Sequence, residues 1–152
     1  MANKLRSCSK PTGISSTTYH SLLKDISQIY EVALSDGNEN WNKATLYSNW
    51  KIGERIVKIE QGNKERAAYG DRILKELSRD LNKKFGKGFS DRNLRHMRKF
   101  YQLYDARAIH PELSWSYYLL LMLIEDSGER LTLEKKAIKE GLSHENFRKL
   151  ID

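Results

Sequence analysis

The chain has little of what a disulfide-linked, secreted or membrane-embedded protein needs. It contains a single cysteine, Cys8, among 152 residues, so no internal disulfide can form. No apolar run approaches the roughly 20 residues that span a bilayer, and no apolar segment follows the N-terminal charges as in a signal peptide. Only two prolines, Pro11 and Pro111, interrupt the chain, which leaves long stretches free to be helical. We therefore expect a cytoplasmic protein of one helix-rich domain that makes no contact with a membrane.

The apolar residues predict an all-α fold. They recur at steps of three and four residues along 19–33, 42–60, 73–85 and 94–104, and they almost never alternate at period two. We expect residues 1–16 to be a flexible tail and residues 17–152 to form a compact multi-helix domain. Gly53, in the second helix, predicts a close approach of a neighbouring helix.

The C-terminal third predicts three further helices. Ser114 can cap an apolar helix, and because residues 120–124 are apolar without interruption we expect it to be the most buried one. A polar helix follows over 129–140, and a last one begins after Gly141. Residues 88–97 and 141–150 share the order Gly, apolar, Ser, two polar, Asn. This order indicates either a common way to end one helix and begin another, or a second helix-turn-helix-like unit at the C-terminus.

The most informative segment, residues 70–104, predicts a helix, a glycine-containing turn and a second helix. Gly86 and Gly88 can end the first helix in the left-handed conformation. Ser90 then caps a helix from Asp91 to Tyr104, with Asp91 at the end where the helix dipole favours negative charge. Two short helices joined in this way are typical of a helix-turn-helix unit.

Positive charge is concentrated on that unit. Eight Lys or Arg and two Asp lie between Arg79 and Lys99, a surplus of six out of the chain's formal net charge of +7. Arginine and lysine suit the phosphates and guanine edges of DNA, and residues near the start of a recognition helix usually reach the major groove. We predict that the second helix binds double-stranded DNA. The predicted contacts are Arg92, Arg95 and Lys99 with His96 as an accessory, and Lys83, Lys84 and Lys87 on the DNA backbone.

Other interpretations stay open. The basic face can be ordinary solvated surface, can bind RNA, or can meet an acidic protein. In the last case the chain is a protein-interaction or assembly module, a homo-oligomer formed through Trp115 or the C-terminal helices, or a targeting subunit for a separate nuclease. A further possibility is that it is the amino-terminal piece of a longer enzyme.

Catalytic patterns are weak. Glu134-Lys135-Lys136 matches the letters of a PD-(D/E)xK nuclease site, but it falls in a predicted helix without a preceding acidic strand. The four histidines are scattered and have no zinc-ligand spacing. We expect no metal, no cofactor and no catalytic activity of the chain itself.

Several motifs in order resemble the N-terminal domain of the YhcG-type bacterial proteins. They are YSNWKIGERI (47–56), RAAYG (66–70), LSRDL (77–81), FGKGFS (85–90), NLRHMRKFY (93–101) and LSWS (113–116). The resemblance implies an α-helical, helix-turn-helix-type domain presumed to bind DNA, which in longer relatives precedes a PD-(D/E)xK nuclease-like domain. That nuclease chemistry is not carried over to this chain. Tyr117 stands where the relatives usually have His, so no imidazole role is implied there.

Overall fold

The computed structural model describes residues 16–36, 40–61 and 67–151, and within these ranges it contains seven α-helices, one short 3-10 helix and no strand. The helices are α1 (Ser16–Asp36), α2 (Trp41–Gln61), α3 (Ala67–Phe85), α4 (Asp91–Leu103), α5 (Trp115–Leu121), α6 (Ser127–Glu140) and α7 (His144–Ile151). The predicted all-α fold class is confirmed. Residues 1–15 of the predicted tail, with Cys8, lie outside the described residues, as does Arg66 of the RAAYG motif. No helix in the described ranges is both long and apolar enough to cross a bilayer.

Helix α4 separates two hydrophobic cores. The first core joins α1, α2 and α3 to the N-terminal half of α4, and Leu94 and Met97 are its α4 members. The second core joins Leu46 of α2 and Phe100 of α4 to the segments that follow, with Tyr118 and Phe147 fully buried at its centre. Helix α4 therefore contributes to both cores through Leu94, Met97 and Phe100, which are its buried residues.

The predicted close approach at Gly53 is confirmed. A Cβ atom built on Gly53 would lie 2.1 Å from the carbonyl oxygen of Met97 and 3.0 Å from the Cβ of Tyr101. Only a residue without a side chain allows α2 and α4 to touch backbone to backbone at this point. Gly53 therefore sets the distance of α4 from the rest of the first core.

Polar contacts tie the first four helices together around that core. Arg55 of α2 binds Asp25 of α1 at 2.6 Å, and Arg98 of α4 binds Glu60 of α2 at 2.6 Å. The hydroxyl of Tyr19 donates to Asp80 of α3 at 2.6 Å. All three contacts are partly buried, where a charge-assisted hydrogen bond is stronger than at the open surface.

The apolar run 120–124 was expected to lie in the buried helix α5, and this expectation was wrong. The helix ends at Leu121, and Leu123 in the uninterrupted apolar run is 66% exposed. The ammonium of Lys99 donates to the carbonyl of Met122 at 2.7 Å, and the guanidinium of Arg130 donates to the carbonyl of Ile124 at 2.7 Å. These side chains from other helices satisfy carbonyls that a longer helix would have paired internally.

Candidate nucleic-acid interface

The turn between α3 and α4 has the geometry that the sequence predicted. Gly86 and Gly88 have φ angles of +85° and +113°, and the amide of Gly86 donates to the carbonyl of Asn82. The hydroxyl of Ser90 accepts a hydrogen bond from the amide of Asn93 at 3.0 Å and so caps α4. Phe89 is 2% exposed and anchors the turn in the first core.

Asn93 fixes the start of α4 in two directions. The nitrogen of its side-chain amide donates to the carbonyl of Gly88 at 2.7 Å, which closes the turn. Its amide oxygen accepts from the indole nitrogen of Trp115 at 3.0 Å, which joins α4 to the start of α5. The first turn of α4 is therefore held rigidly by both neighbours, as a recognition surface requires.

Four cations surround this turn. Lys83, Lys84, Lys87 and Arg92 are all exposed, and none of them forms an ion pair with any residue that the structure describes. The ammonium of Lys84 lies 5.4 Å from the centre of the Phe85 ring. These side chains concentrate positive charge that the protein itself leaves uncompensated.

Two of the other predicted contact residues, Arg95 and Lys99, make contacts within the protein. Arg95 lies 3.8 Å from Asp91, one turn earlier on α4. Lys99 directs its ammonium to the carbonyl of Met122, as described above. The predicted basic face therefore divides into an open part at the turn and a part that stabilises the fold.

Arg92 and His96 line a groove of about 560 Å³ between α4, α5 and the start of α7. Its other side carries Leu119 and Leu120 of α5 and the exposed Leu123, which follows α5, and His144 lies at one end. The groove thus sets a basic wall against an apolar one. Such a surface can hold a charged group on one side and an apolar group on the other.

The electrostatics of the groove act on His96. Partial burial is the main cause that lowers the pKa of His96 below its ordinary value, and the positive charges of Arg92 and Lys99 lower it further. The imidazole is therefore neutral at pH 7 and offers one nitrogen as a donor and the other as an acceptor.

Sequence reasoning missed the apolar wall of this groove, because the apolar residues in and just after α5 were expected to be buried. The pattern shared by residues 88–97 and 141–150 did predict where α7 begins. The hydroxyl of Ser143 accepts from the amide of Asn146 at 3.1 Å, as Ser90 does from Asn93, and Gly141 ends α6 with a φ of +58°. Both segments thus combine a glycine of positive φ with a serine cap.

The tryptophans illustrate which aromatics pack inside. Trp50 donates to the carbonyl of Tyr104 at 2.8 Å, and Trp115 packs edge-on against Phe100. Trp41, by contrast, is 57% exposed.

Glu134 of the Glu134-Lys135-Lys136 sequence lies on α6, is 3% exposed, and accepts a hydrogen bond from the Tyr118 hydroxyl at 2.9 Å. The Tyr118 hydroxyl in turn accepts from the amide of His110 at 2.8 Å. Burial raises the pKa of Glu134 above its ordinary value. Within the described ranges, no group of three or more His, Cys, Asp or Glu side chains could hold a metal ion.

Comparison with known proteins supports the motif resemblance. The family model described as the DUF1016 N-terminal domain matches residues 25–152. Over 96 residues, 63% of this chain, the sequence is 36% identical to the Escherichia coli (strain K12) protein named "Putative nuclease YhcG". That alignment covers 26% of the relative, so the chain spans about a quarter of its length. Comparison with solved structures gives no match. The chain belongs to the DUF1016 N-terminal domain family.

Proposed function

We propose that this domain binds double-stranded DNA through the turn between α3 and α4, used as a helix-turn-helix unit. The observation that carries the proposal is the open cationic cluster of Lys83, Lys84, Lys87 and Arg92 around a rigidly held helix start. Phosphate neutralisation by such residues supplies most of the affinity of non-specific DNA binding.

The internal contacts of α4 refine which residues meet the DNA. The ammonium of Lys99 donates to the carbonyl of Met122, and Lys99 lies in the C-terminal half of α4. Arg92, in contrast, is in the first turn of α4 and lines the open groove. Residues at the start of a recognition helix are the ones that reach base edges. Arg92 therefore makes the central contact, Arg95 and His96 assist, and Lys99 positions α4.

The proposed contacts can be tested by removing charge at the turn and, as a control, elsewhere. Binding of a fluorescent random-sequence duplex of about 30 base pairs would be measured by anisotropy across a salt series. The test variant is Lys83→Ala/Lys87→Ala/Arg92→Ala. The control variant is Lys135→Ala/Lys136→Ala/Lys139→Ala, which removes three exposed lysines from α6 and changes the net charge equally.

We expect the wild type and the control to lose affinity linearly in log–log form as salt increases. The test variant should show a slope shallower by up to about 0.9 per lost contact, or roughly 3 in total, because each phosphate contact releases a counterion. Equal losses in both variants would mean that net charge alone attracts DNA. Absence of binding by the wild type at low salt would reject the proposal.

A second candidate function is a protein-interaction module that targets a nuclease. The favouring observation is that the similar E. coli protein is named "Putative nuclease YhcG", while the aligned region covers 26% of it. In that case the domain would bind a nuclease subunit with an affinity that the turn variant does not change, and salt-dependent DNA binding would be missing.

A further inference from the structure

A second groove, of about 610 Å³, lies between α1 and α2 and is separate from the charged turn. We call it the α1–α2 groove. Ile29, Val32 and Ala33 line it from α1, and Ala44 and Tyr47 line it from α2. Val32 and Ala33 come three and four residues after Ile29, and Tyr47 comes three residues after Ala44. On each helix the lining residues therefore share one face. Two such rows side by side form the surface on which a third helix packs.

Apolar groups in and beside the groove are open to solvent. Val32 is 58% exposed, and the neighbouring Leu34 and Trp41 are 43% and 57% exposed. Leu34 and Trp41 line an adjoining cavity of about 170 Å³, and Ser48 lines both spaces. The Ser48 side chain is buried, and its hydroxyl has no hydrogen-bond partner among the described residues. Exposed apolar surface beside an unsatisfied hydroxyl is typical of a binding surface.

The charges along the groove indicate the chemistry of its partner. Lys43 and Lys51, on the α2 side, are exposed and form no ion pair with the residues that the structure describes. Arg55, at one end, is neutralised by Asp25 at 2.6 Å. The open charge on the rim is therefore positive, and carboxylates complement it.

Charge also argues against two occupants from this chain. A second copy that docked symmetrically through the same groove would bring the same two lysines to it. Residues 1–15 carry three cations, Lys4, Arg6 and Lys10, and no carboxylate. Neither supplies the complementary charge.

We propose that the α1–α2 groove binds an acidic amphipathic helix of a partner protein. Its apolar side lies on Val32 and Tyr47, and its carboxylates meet Lys43 and Lys51. Lys43 and Arg55, which bound the groove on α2, are twelve residues apart. At about 1.5 Å per residue this distance is roughly 18 Å, enough for about three turns of a docked helix. The proposal does not depend on DNA binding at the turn.

The probe for the test is a synthetic helical peptide of about 16 residues, with Leu and Ala on one face and Glu on the other. A matched peptide carries Lys in place of each Glu. Each is titrated into the ¹⁵N-labelled full chain, and amide shifts in two-dimensional NMR spectra locate the contact and give the dissociation constant.

We expect the acidic peptide to shift amides along the groove faces of α1 and α2, and the lysine peptide to leave them unchanged. Val32→Glu should weaken binding roughly tenfold or more, because it places a charge in the apolar contact. Since Val32 is more than half exposed, this variant should fold normally. Lys43→Glu/Lys51→Glu should weaken binding similarly. The control Lys135→Glu/Lys136→Glu, an equal charge change on α6, should not.

Two results would overturn the proposal. Shifts confined to the turn between α3 and α4, unchanged by Val32→Glu, would show that the peptide only seeks positive charge. Sedimentation showing a dimer that Val32→Glu dissociates would assign the groove to a second copy of the chain. Both results leave the duplex titration interpretable, so failure here is distinct from failure of DNA binding.

Discussion

Replacing Gly53 with alanine should destabilise the domain, although alanine is the better helix former. The added Cβ would lie 2.1 Å from the carbonyl oxygen of Met97, and an ordinary contact is about 3.4 Å, so α4 must retreat by roughly 1 Å. The obstacle is backbone on the opposite helix, which cannot turn aside as a side-chain end can. The retreat opens a gap along the contact of α4 with α2.

The size of the effect follows from two opposing contributions. A gap of about 0.5–1 Å loses a quarter to a half of the dispersion energy of each contact across it, and overpacking a close contact typically costs up to about 3 kcal/mol. Alanine returns about 1 kcal/mol of helix propensity. We expect a net loss of about 2 kcal/mol in the free energy of unfolding, or roughly 4–8 °C in Tm for a domain of this size.

The assay is urea unfolding followed by circular dichroism, with Gly128→Ala as the matched control. Gly128 lies in the first turn of α6, and the nearest atom to its added Cβ is a carboxylate oxygen of Asp126 at 3.4 Å. The control therefore reports the propensity gain without a backbone collision and should be neutral or slightly stabilising. If Gly53→Ala were as stable as the control, the reasoning about contact between α2 and α4 would be refuted.

Two further predictions concern pH. Burial raises the pKa of Glu134 above its ordinary value of 4.5, so the folded chain binds this proton more tightly than the unfolded chain does. The contribution of Glu134 to stability therefore falls as pH rises above that value. Glu134→Gln, which keeps an acceptor for the Tyr118 hydroxyl, should therefore gain in unfolding free energy relative to the wild type as pH rises above 4.5; parallel urea profiles would contradict this. Burial, Arg92 and Lys99 depress the pKa of His96 below its ordinary value of 6.5, and a bound phosphate should favour its protonation. Duplex affinity should therefore rise as pH falls from neutral. His96→Gln should flatten that dependence in the anisotropy assay, and an unchanged profile would remove His96 from the interface.

Local signals made the turn and its helix predictable from the sequence. The glycines at 86 and 88 need positive φ angles, and Ser90 satisfies an amide three residues later. Such information lies within a few residues of chain, so the pattern of residue types carries it. The family resemblance followed from the same compact motifs.

Contacts between distant segments were not predictable in this way. Periodicity places Lys99 on the outer face of α4, but only the folded chain brings the end of α5 to within 2.7 Å of its ammonium. Likewise, no residue type within the apolar run through Leu123 signals the end of a helix. Just after α5, side chains from α4 and α6 donate hydrogen bonds to the carbonyls of Met122 and Ile124. The division of the basic face into open and engaged parts therefore depends on tertiary structure.

The position of α4 between two cores limits how the chain can be divided into fragments. A fragment that ends before α4 would leave the first core without Leu94 and Met97, and one that begins after it would leave the second core without Phe100. Each fragment would expose apolar surface that α4 normally covers, and would be prone to aggregate. Expression boundaries should therefore fall outside the span from α1 to α7, and the charged turn is best studied with all seven helices present.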